Sequence, residues 1–550
     1  MEKTEVNFLS PYKLMPPKLT KNLRELWYGV LAWIGKNNEE FIVLLFILFI
    51  AALFRLYKID QYMTFLGDEG RDVIIVRRFL VEHHIMLIGP GTSIGNMYLG
   101  PLYYYLMAPV LFLFNFSPVG PAVQIAVLGV FTVYLVWLMS REWFGRVAAF
   151  VAASLYAISP VVITYSRSSW NPNIMPFFAI ICIYSLWKIF KYSEWIWLLV
   201  LGISFAFVLQ SHYLGLLLLP VILVYWFLTY FKIKTHIPKP KFLTKELFKN
   251  TLLAMLLFFS LMSPLVFFDA RHGWNNFNAL KLFLTERQTT VSANPIKNLP
   301  NIFPIFNKSV TRLVAGGDVT FGTVASVVLG VGLLWLVVTY LRREGSKTSI
   351  LKSPITLLFT WLLFAMVGLS LYKQEIYDHY YGFFFPASFI LLGLITQEIV
   401  HKAKYMTQKY YKIILALFGV FYVLLVTINL MKNPLLSPPN MQLQRTEEVA
   451  KFIKNDARGN KFNFAVIAER NYEGAYKYFL QLWGTGIIDI DPLNTKDTIA
   501  DSLYVVCEKP KEKCDPTHNA KAEVANFGWS KIENAWNIFG TTTYRLIHTR

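Results

Sequence analysis

The chain contains about eleven apolar runs of spanning or near-spanning length, at residues 41–57, 122–140, 147–165, 174–187, 195–209, 213–230, 251–268, 319–341, 354–371, 380–397 and 413–430. A bilayer hydrocarbon core about 30 Å thick takes roughly 20 apolar helical residues to cross. Inside lipid a backbone must satisfy its own hydrogen bonds, so runs of this kind become helices. The pattern predicts an all-α polytopic membrane protein with about eleven transmembrane helices plus juxtamembrane helices. Composition agrees, since only 16% of the residues are charged, against roughly 25% in soluble domains.

The formal net charge is +19, which in a soluble chain would point to nucleic acid. Here the placement of the charge decides otherwise. With residues 1–40 on the cytoplasmic side, Arg141 and Arg146, Lys188 and Lys191, the loop 231–250 with Lys232, Lys234, Lys239, Lys241, Lys245 and Lys249, then Arg342, Arg343, Lys347 and Lys352, and finally Lys402, Lys404, Lys409 and Lys412 all fall on one face. That is the positive-inside pattern of a single consistent topology in the plasma membrane. The lipid bilayer, and no nucleic acid, is the partner of this basic balance. Residues 101–116 are apolar too, but counting them as a span would invert every later loop, so they are expected to form an interfacial helix. Residues 1–20 mix charge with Pro11, Pro16 and Pro17 and have no apolar core of a cleavable signal. Residues 22–35 are expected to form a helix on the inner leaflet.

From residue 431 the composition changes. Pro434, Pro438 and Pro439 mark a linker, 446–456 and 474–483 have helical periodicity, and 461–467, 502–507 and 541–548 have strand character. The expected organisation is a cytoplasmic segment 1–40, a transmembrane unit 41–430 and a small extracytoplasmic α/β domain 431–550. Cys507 and Cys514 lie seven apart in that domain, a spacing and a compartment that allow a local disulfide without requiring one.

The chemistry-bearing residues cluster at the outer ends of the spans. Phe65-Leu66-Gly67-Asp68-Glu69-Gly70-Arg71-Asp72 follows the first span and opens a juxtamembrane helix with an acidic first turn. A helix N-terminus favours ionised carboxylates, which suits a base or a metal ligand; ordinary helix capping gives the same pattern. Arg271 and His272, in Phe268-Asp269-Ala270-Arg271-His272-Gly273-Trp274, sit at a span end where a lipid phosphate would lie. Arg271 suits fork-like phosphate contacts, and both residues also suit interface anchoring beside Trp274. Tyr104, within Tyr103-Tyr104-Tyr105, is a candidate for sugar stacking or for an interfacial aromatic belt. His212, at a tight outer turn, is a candidate wall of the same pocket. The spans carry no ionisable residue at mid-membrane, which speaks against a coupled transporter.

A long first outer loop with an Asp-Glu pair just after span one, then Gly100-Pro101-Leu102-Tyr103-Tyr104-Tyr105, then a cytoplasmic Arg-rich turn, resembles the C-type-fold glycosyltransferases. More narrowly it is similar to the protein O-mannosyltransferase superfamily, glycosyltransferase family 39, and its bacterial relatives, including the lipid A aminoarabinose transferases. The likeness covers residues 41 to about 400. It implies a hexosyl or pentosyl transferase that takes a sugar from a polyprenyl-phosphate donor at the outer face and passes it, with inversion, to an acceptor hydroxyl of a protein, lipid or glycan. By that likeness Asp68 is the base, and Glu69 orients it or joins it in holding a divalent cation, Mg or Mn. Arg271, Arg287 and Arg71 face the donor phosphate, with Arg287 at the place where relatives carry a phosphate-binding Arg. Asn171, in Trp170-Asn171-Pro172-Asn173, stands where many relatives have an acid before proline; it cannot act as a base, but its amide can orient a sugar hydroxyl. His212, His272 and Tyr104 complete the substrate-binding candidates. The readings from other classes are a lipid-linked glycan flippase and a non-catalytic cell-envelope assembly protein.

The topology is testable. Single cysteines at Thr92 and Lys241, treated with an impermeant thiol reagent in intact cells, should label at Thr92 and not at Lys241; the reverse pattern would overturn both the orientation and the outer-face site.

Overall fold

The computed structural model describes residues 28–29, 31–92, 97–235, 241–285, 291–292, 294, 296–343, 353–403 and 407–549. Of the inner-leaflet helix expected at 22–35, residues 22–27 and 30 lie outside them, and 28–29 and 31–35 are helical. Among the described residues, seven helices are long and apolar enough to cross a membrane: Val119–Trp143, Asn171–Tyr192, Tyr213–Lys234, Phe242–Arg271, Val319–Tyr340, Asp378–Ala403 and Gln408–Met431. The other four expected spans are also helical. Asn38–Leu56 has Glu39 and Glu40 in its first turn, where the positive helix end favours acids. Ile196–Ser211 and Pro354–Ser370 are shorter apolar helices.

The fourth, expected as one span at 147–165, is broken. It runs as Arg146–Ile158 and then Pro160–Tyr165, because Pro160 cannot continue the ladder and its ring drives Ser159 to an extended ψ of 122°. The basic loop 231–250 is also shorter than expected, since Lys241–Arg271 is a single 31-residue helix and Lys241, Lys245 and Lys249 lie on its first turns. The interfacial stretch 101–116 forms a 12-residue helix, Leu102–Leu113. At 1.5 Å per residue that is about 18 Å, too short to span. The outer loop 269–318 contains two helices, Asn275–Thr285 and Ile302–Leu313.

Two buried guanidinium groups tie the ends of these helices together. Arg55, fully buried near the end of Asn38–Leu56, donates to Ala51 O at 3.1 Å and, across the helix boundary, to Ala157 O at 2.9 Å. Arg167 returns the favour by donating to Phe54 O at 2.5 Å and Tyr57 O at 2.7 Å. The last carbonyls of a helix lack intrahelical partners and carry partial negative charge, so a cation there satisfies both needs. These contacts fix where the first helix stops and the juxtamembrane helix Gly67–Glu82 begins.

The segment after the last span carries Gln442–Ala457, Gly474–Leu482 and a four-stranded sheet of β1 (Asn463–Ile467), β2 (Ser502–Cys507), β3 (Ser530–Ile538) and β4 (Thr541–His548). The sheet order is β1-β2-β4-β3, with β1 and β2 parallel and the other pairs antiparallel. Strand β3 was not expected: it is a mostly exposed edge strand whose polar side chains hide its period. Cys507 and Cys514 form a disulfide at the end of β2.

This C-terminal unit does not stand apart. Phe65, Val73 and Val76, at the first turns of Gly67–Glu82, share one buried cluster with Tyr476, Phe479 and Leu480 of Gly474–Leu482. Tyr478 also donates its hydroxyl to Phe116 O, beyond the interfacial helix. The composition boundary at 431 marks where the chain leaves its last span, while the packing runs across it.

Candidate active site

One end of the bundle and the juxtamembrane helix enclose a cleft of roughly 280 Å³. Its walls include Asp68 and Arg71 from Gly67–Glu82, the Pro90–Thr92 segment, Trp170, Asn171 and Pro172 ahead of one span, His212 and Tyr213 at the next outer turn, and Tyr377, His379 and Tyr380. Apart from the Pro90–Thr92 loop, these segments lie at or beside helix ends. Residues scattered over 300 positions therefore meet.

One helical step separates Asp68 from Glu69, and it sends them to different places. Asp68 faces the cleft with a side chain 41% exposed. Among the described residues, its donors both converge on Oδ1: Arg71 Nη1 at 2.9 Å and the Tyr472 hydroxyl at 2.7 Å. Glu69 is buried and turned back along the chain, where Oε2 accepts the Leu66 N–H at 3.0 Å. It is the reciprocal half of a helix cap. Burial pushes the Glu69 carboxyl up to about 7, opposed by the Leu66 N–H.

Arg71 lines the cleft, but its guanidinium bridges two carboxylates. Nε and Nη2 donate to Asp72 Oδ1 at 3.0 and 2.8 Å, while Nη1 reaches Asp68. Burial pushes the Asp72 carboxyl up to about 6, and Arg71, which donates to it, opposes that rise and is held in place by it. Tyr104 is wholly buried behind this pair and donates to Asp72 Oδ1 at 2.9 Å. It belongs neither to an interfacial belt nor to the cleft wall. Tyr103 is buried beside it, 2.6 Å from Ser169 Oγ.

On the opposite wall, Asn171 donates its amide to Ser211 O at 2.7 Å, and this bond ties the two outer turns together. His212 is buried, which pushes its ring down to about 3 and keeps it neutral, with His379 nearby adding to the shift. Its Nδ1 accepts the Leu214 N–H at 3.2 Å. The ring proton is therefore assigned to Nε2. His379 packs between the rings of Trp170 and His212, at 4.7 and 5.8 Å.

Arg271 and His272 are not in this cleft. They lie exposed at the end of Lys241–Arg271, Arg271 5.5 Å over the Phe267 ring and His272 stacked on Phe268 with Nδ1 2.7 Å from the Phe268 carbonyl oxygen. That helix lines a second, apolar groove of roughly 320 Å³ through Met262, Leu265 and Val266. The groove shares Leu99 and Tyr213 with the polar cleft. Arg287 falls outside the described residues. Tyr472 was not a sequence candidate at all: it lies 404 residues from Asp68 in a different unit, and no spacing could have paired them.

A divalent cation at Asp68 and Glu69 does not fit this donor set. The two carboxylates diverge, one is occupied as a cap, and the described residues contain no group of three or more His, Cys, Asp or Glu side chains placed to hold a metal ion. No step below is routed through a metal.

Residues 99–268 match the model of the dolichyl-phosphate-mannose-protein mannosyltransferase family. YkcB of Bacillus subtilis (strain 168), named for a proposed mannosyltransferase activity, is 24% identical over 197 residues, 35% of this chain. That match spans 27% of the curated relative's own length. Among solved structures, ArnT of Cupriavidus metallidurans bound to undecaprenyl phosphate superimposes with a TM-score of 0.54 at 11% identity, covering 93% of this chain and 98% of that one. The Archaeoglobus fulgidus oligosaccharyltransferase in complex with zinc and sulfate gives 0.50 at 14% identity, covering 91% and 72%. The chain has the C-type glycosyltransferase fold. At 93% coverage the likeness to ArnT reaches into the C-terminal unit, whereas the family match at 99–268 takes in Asn171 and His212 but neither Asp68 nor Tyr472.

The Glu69 cap makes a prediction. Its carboxyl binds a proton more tightly in the folded protein, at about 7 against an ordinary 4.5. The contribution to stability is thus complete below 4.5 and lost as the pH rises through 7. Glu69→Gln keeps the acceptor for Leu66 N–H and removes this titration. Thermal unfolding followed from pH 4.5 to 7.5 should show the wild type losing more stability than the variant, with Asp72 contributing equally to both; identical slopes would contradict the assignment.

Proposed function

We propose that the protein is a glycosyltransferase that moves a hexose or pentose from a polyprenyl-phosphate-linked donor to an acceptor hydroxyl at the outer face of the membrane, with inversion. The observation that carries this reading is the joining of a polar cleft, headed by Asp68, to an apolar groove through Leu99 and Tyr213. An amphipathic donor has the same two parts in the same order. The ArnT match, a protein solved with undecaprenyl phosphate bound, supports it.

The reaction asks little covalent chemistry of the protein. Asp68 takes the proton of the acceptor hydroxyl, the acceptor oxygen forms its bond to the anomeric carbon, and the bond from that carbon to the phosphate oxygen breaks with its electron pair going to the polyprenyl phosphate. A sugar or protein hydroxyl is a poor nucleophile, so a positioned carboxylate assists the attack. The charge growing on the leaving phosphate calls for a cation. Arg71 is the only Lys or Arg among the described residues lining the cleft, and Arg271 is an exposed cation at the end of the helix that lines the groove, of the charge that attracts a phosphate headgroup. Asn171 and the neutral His212 offer uncharged polar contacts to sugar hydroxyls. The acceptor is a protein, lipid or glycan hydroxyl.

Asp68→Asn should lower transfer by roughly 10² to 10⁴ while leaving donor binding near normal, since the amide keeps the shape but takes no proton. Arg271→Ala should instead weaken donor binding with little effect on the rate from bound donor, because the cation it removes stands at the end of the groove-lining helix and outside the cleft. Transfer rates and donor affinities of the purified variants measure both. Asp68→Asn transferring at the wild-type rate would reduce the Asp68 carboxylate to a helix cap.

A further inference from the structure

The loop that precedes Gly474–Leu482 reaches from the C-terminal unit to the first turn of the juxtamembrane helix. Asn471 accepts the Gly67 N–H on Oδ1 at 2.9 Å, and the Tyr472 hydroxyl donates to Asp68 Oδ1 at 2.7 Å. Arg71 Nη1 lies 3.3 Å from the same hydroxyl oxygen. Asn471 is itself held by Glu508, whose Oε1 accepts its amide at 2.7 Å.

This approach needs small residues. A Cβ on Gly70 would stand 2.2 Å from the Ala475 backbone nitrogen, and one on Gly474 would stand 2.2 Å from Gly67 O. A Cβ on Gly67 would meet the Tyr472 ring at 2.3 Å. Three glycines on two helices, far apart in the chain, thus permit one backbone-to-backbone crossing. The phenol at its centre is largely buried, which holds its hydroxyl well above the usual value and leaves it a donor.

We propose that Tyr472 is a positioning residue for the Asp68 carboxylate, so that the C-terminal unit completes the catalytic cleft instead of merely covering it. This rests on the reading of Asp68 as the base. With Tyr472 and Arg71 both on Oδ1, the carboxylate is locked in rotation and its other oxygen is presented to the acceptor. The groups facing Asp68 are Glu69, Arg71 and Asp72 on its own helix, Tyr472 from the C-terminal unit, and His212 and His379 across the cleft. Tyr472→Phe changes one of them and keeps the ring against Gly67.

Removing a hydrogen bond from the charged form of an acid raises its pKa. Labelling of Asp68 by a water-soluble carbodiimide, which takes the protonated carboxyl, should therefore persist to higher pH in Tyr472→Phe than in the wild type, as read by mass spectrometry of the full-length protein. In transfer assays the variant should lose roughly tenfold or more in kcat, with donor KM within about twofold and the acid limb of the rate profile moved up in pH. An unchanged labelling midpoint would overturn the proposal, and so would a raised KM and lowered melting temperature with the acid limb unmoved, which is the signature of packing alone. If the wild type transfers no sugar from any polyprenyl-phosphate donor, the functional reading fails, while the labelling midpoint still decides whether Tyr472 holds Asp68.

Discussion

Helix ends inside or near lipid leave carbonyls that neither water nor a neighbouring turn can satisfy, and the cleft end of this protein is organised by how two arginines solve that problem. Arg55 closes the end of Arg146–Ile158 and Arg167 closes the end of Asn38–Leu56. Both guanidinium groups are buried. Removing either would strand carbonyls in a site from which water is excluded, at a cost of about 1–3 kcal/mol for each. Because Arg167 sits in the turn after Pro160–Tyr165, its bonds to the end of Asn38–Leu56 set the start of Gly67–Glu82 relative to the Trp170–Asn171 turn. Thr64 N–H reaching Ser168 Oγ at 2.9 Å extends the same coupling by one more bond.

On that platform the carboxylates take separate duties. Asp68 is half-exposed in the cleft, Glu69 caps the helix from beneath, and Asp72 is buried to hold Arg71. Three acids within five residues would repel one another in a uniform environment. Here one is solvated, one is held by its helix's own N–H groups, and one is paired. The glycines at 67, 70 and 474 allow the C-terminal unit to approach closely enough to add Tyr472 to this set.

How much of this was legible in the sequence follows from which forces act locally. Span positions were, because bilayer thickness selects length and apolarity. The break at Ser159 was not, although Pro160 was in view: proline inside an apolar run is compatible with either a kink or a stop, and packing against Leu313, whose carbonyl accepts Ser159 Oγ at 2.6 Å, chooses the stop. Asp68 was legible as the first acid of a helix beside a membrane mouth. That Glu69 would turn away was not, since the cap depends on a Leu66 N–H whose direction only the folded loop sets. Tyr104 lay in an aromatic run that reads equally as belt, platform or core. Strand β3 carries Lys531, Glu533, Asn534 and Asn537, so edge exposure erased the alternation that revealed the other strands. Tyr472 is joined to Asp68 only by tertiary structure.

The claim on which the rest depends is that the cleft and the groove together take a lipid-linked sugar. Purified full-length protein, incubated with a panel of polyprenyl-phosphate sugars and, in parallel, with the corresponding nucleotide sugars, would decide it by the appearance of free carrier phosphate. The account predicts release of polyprenyl phosphate from at least one lipid-linked donor and no consumption of any nucleotide sugar. Turnover of a nucleotide sugar, with the lipid-linked donors untouched, would contradict it.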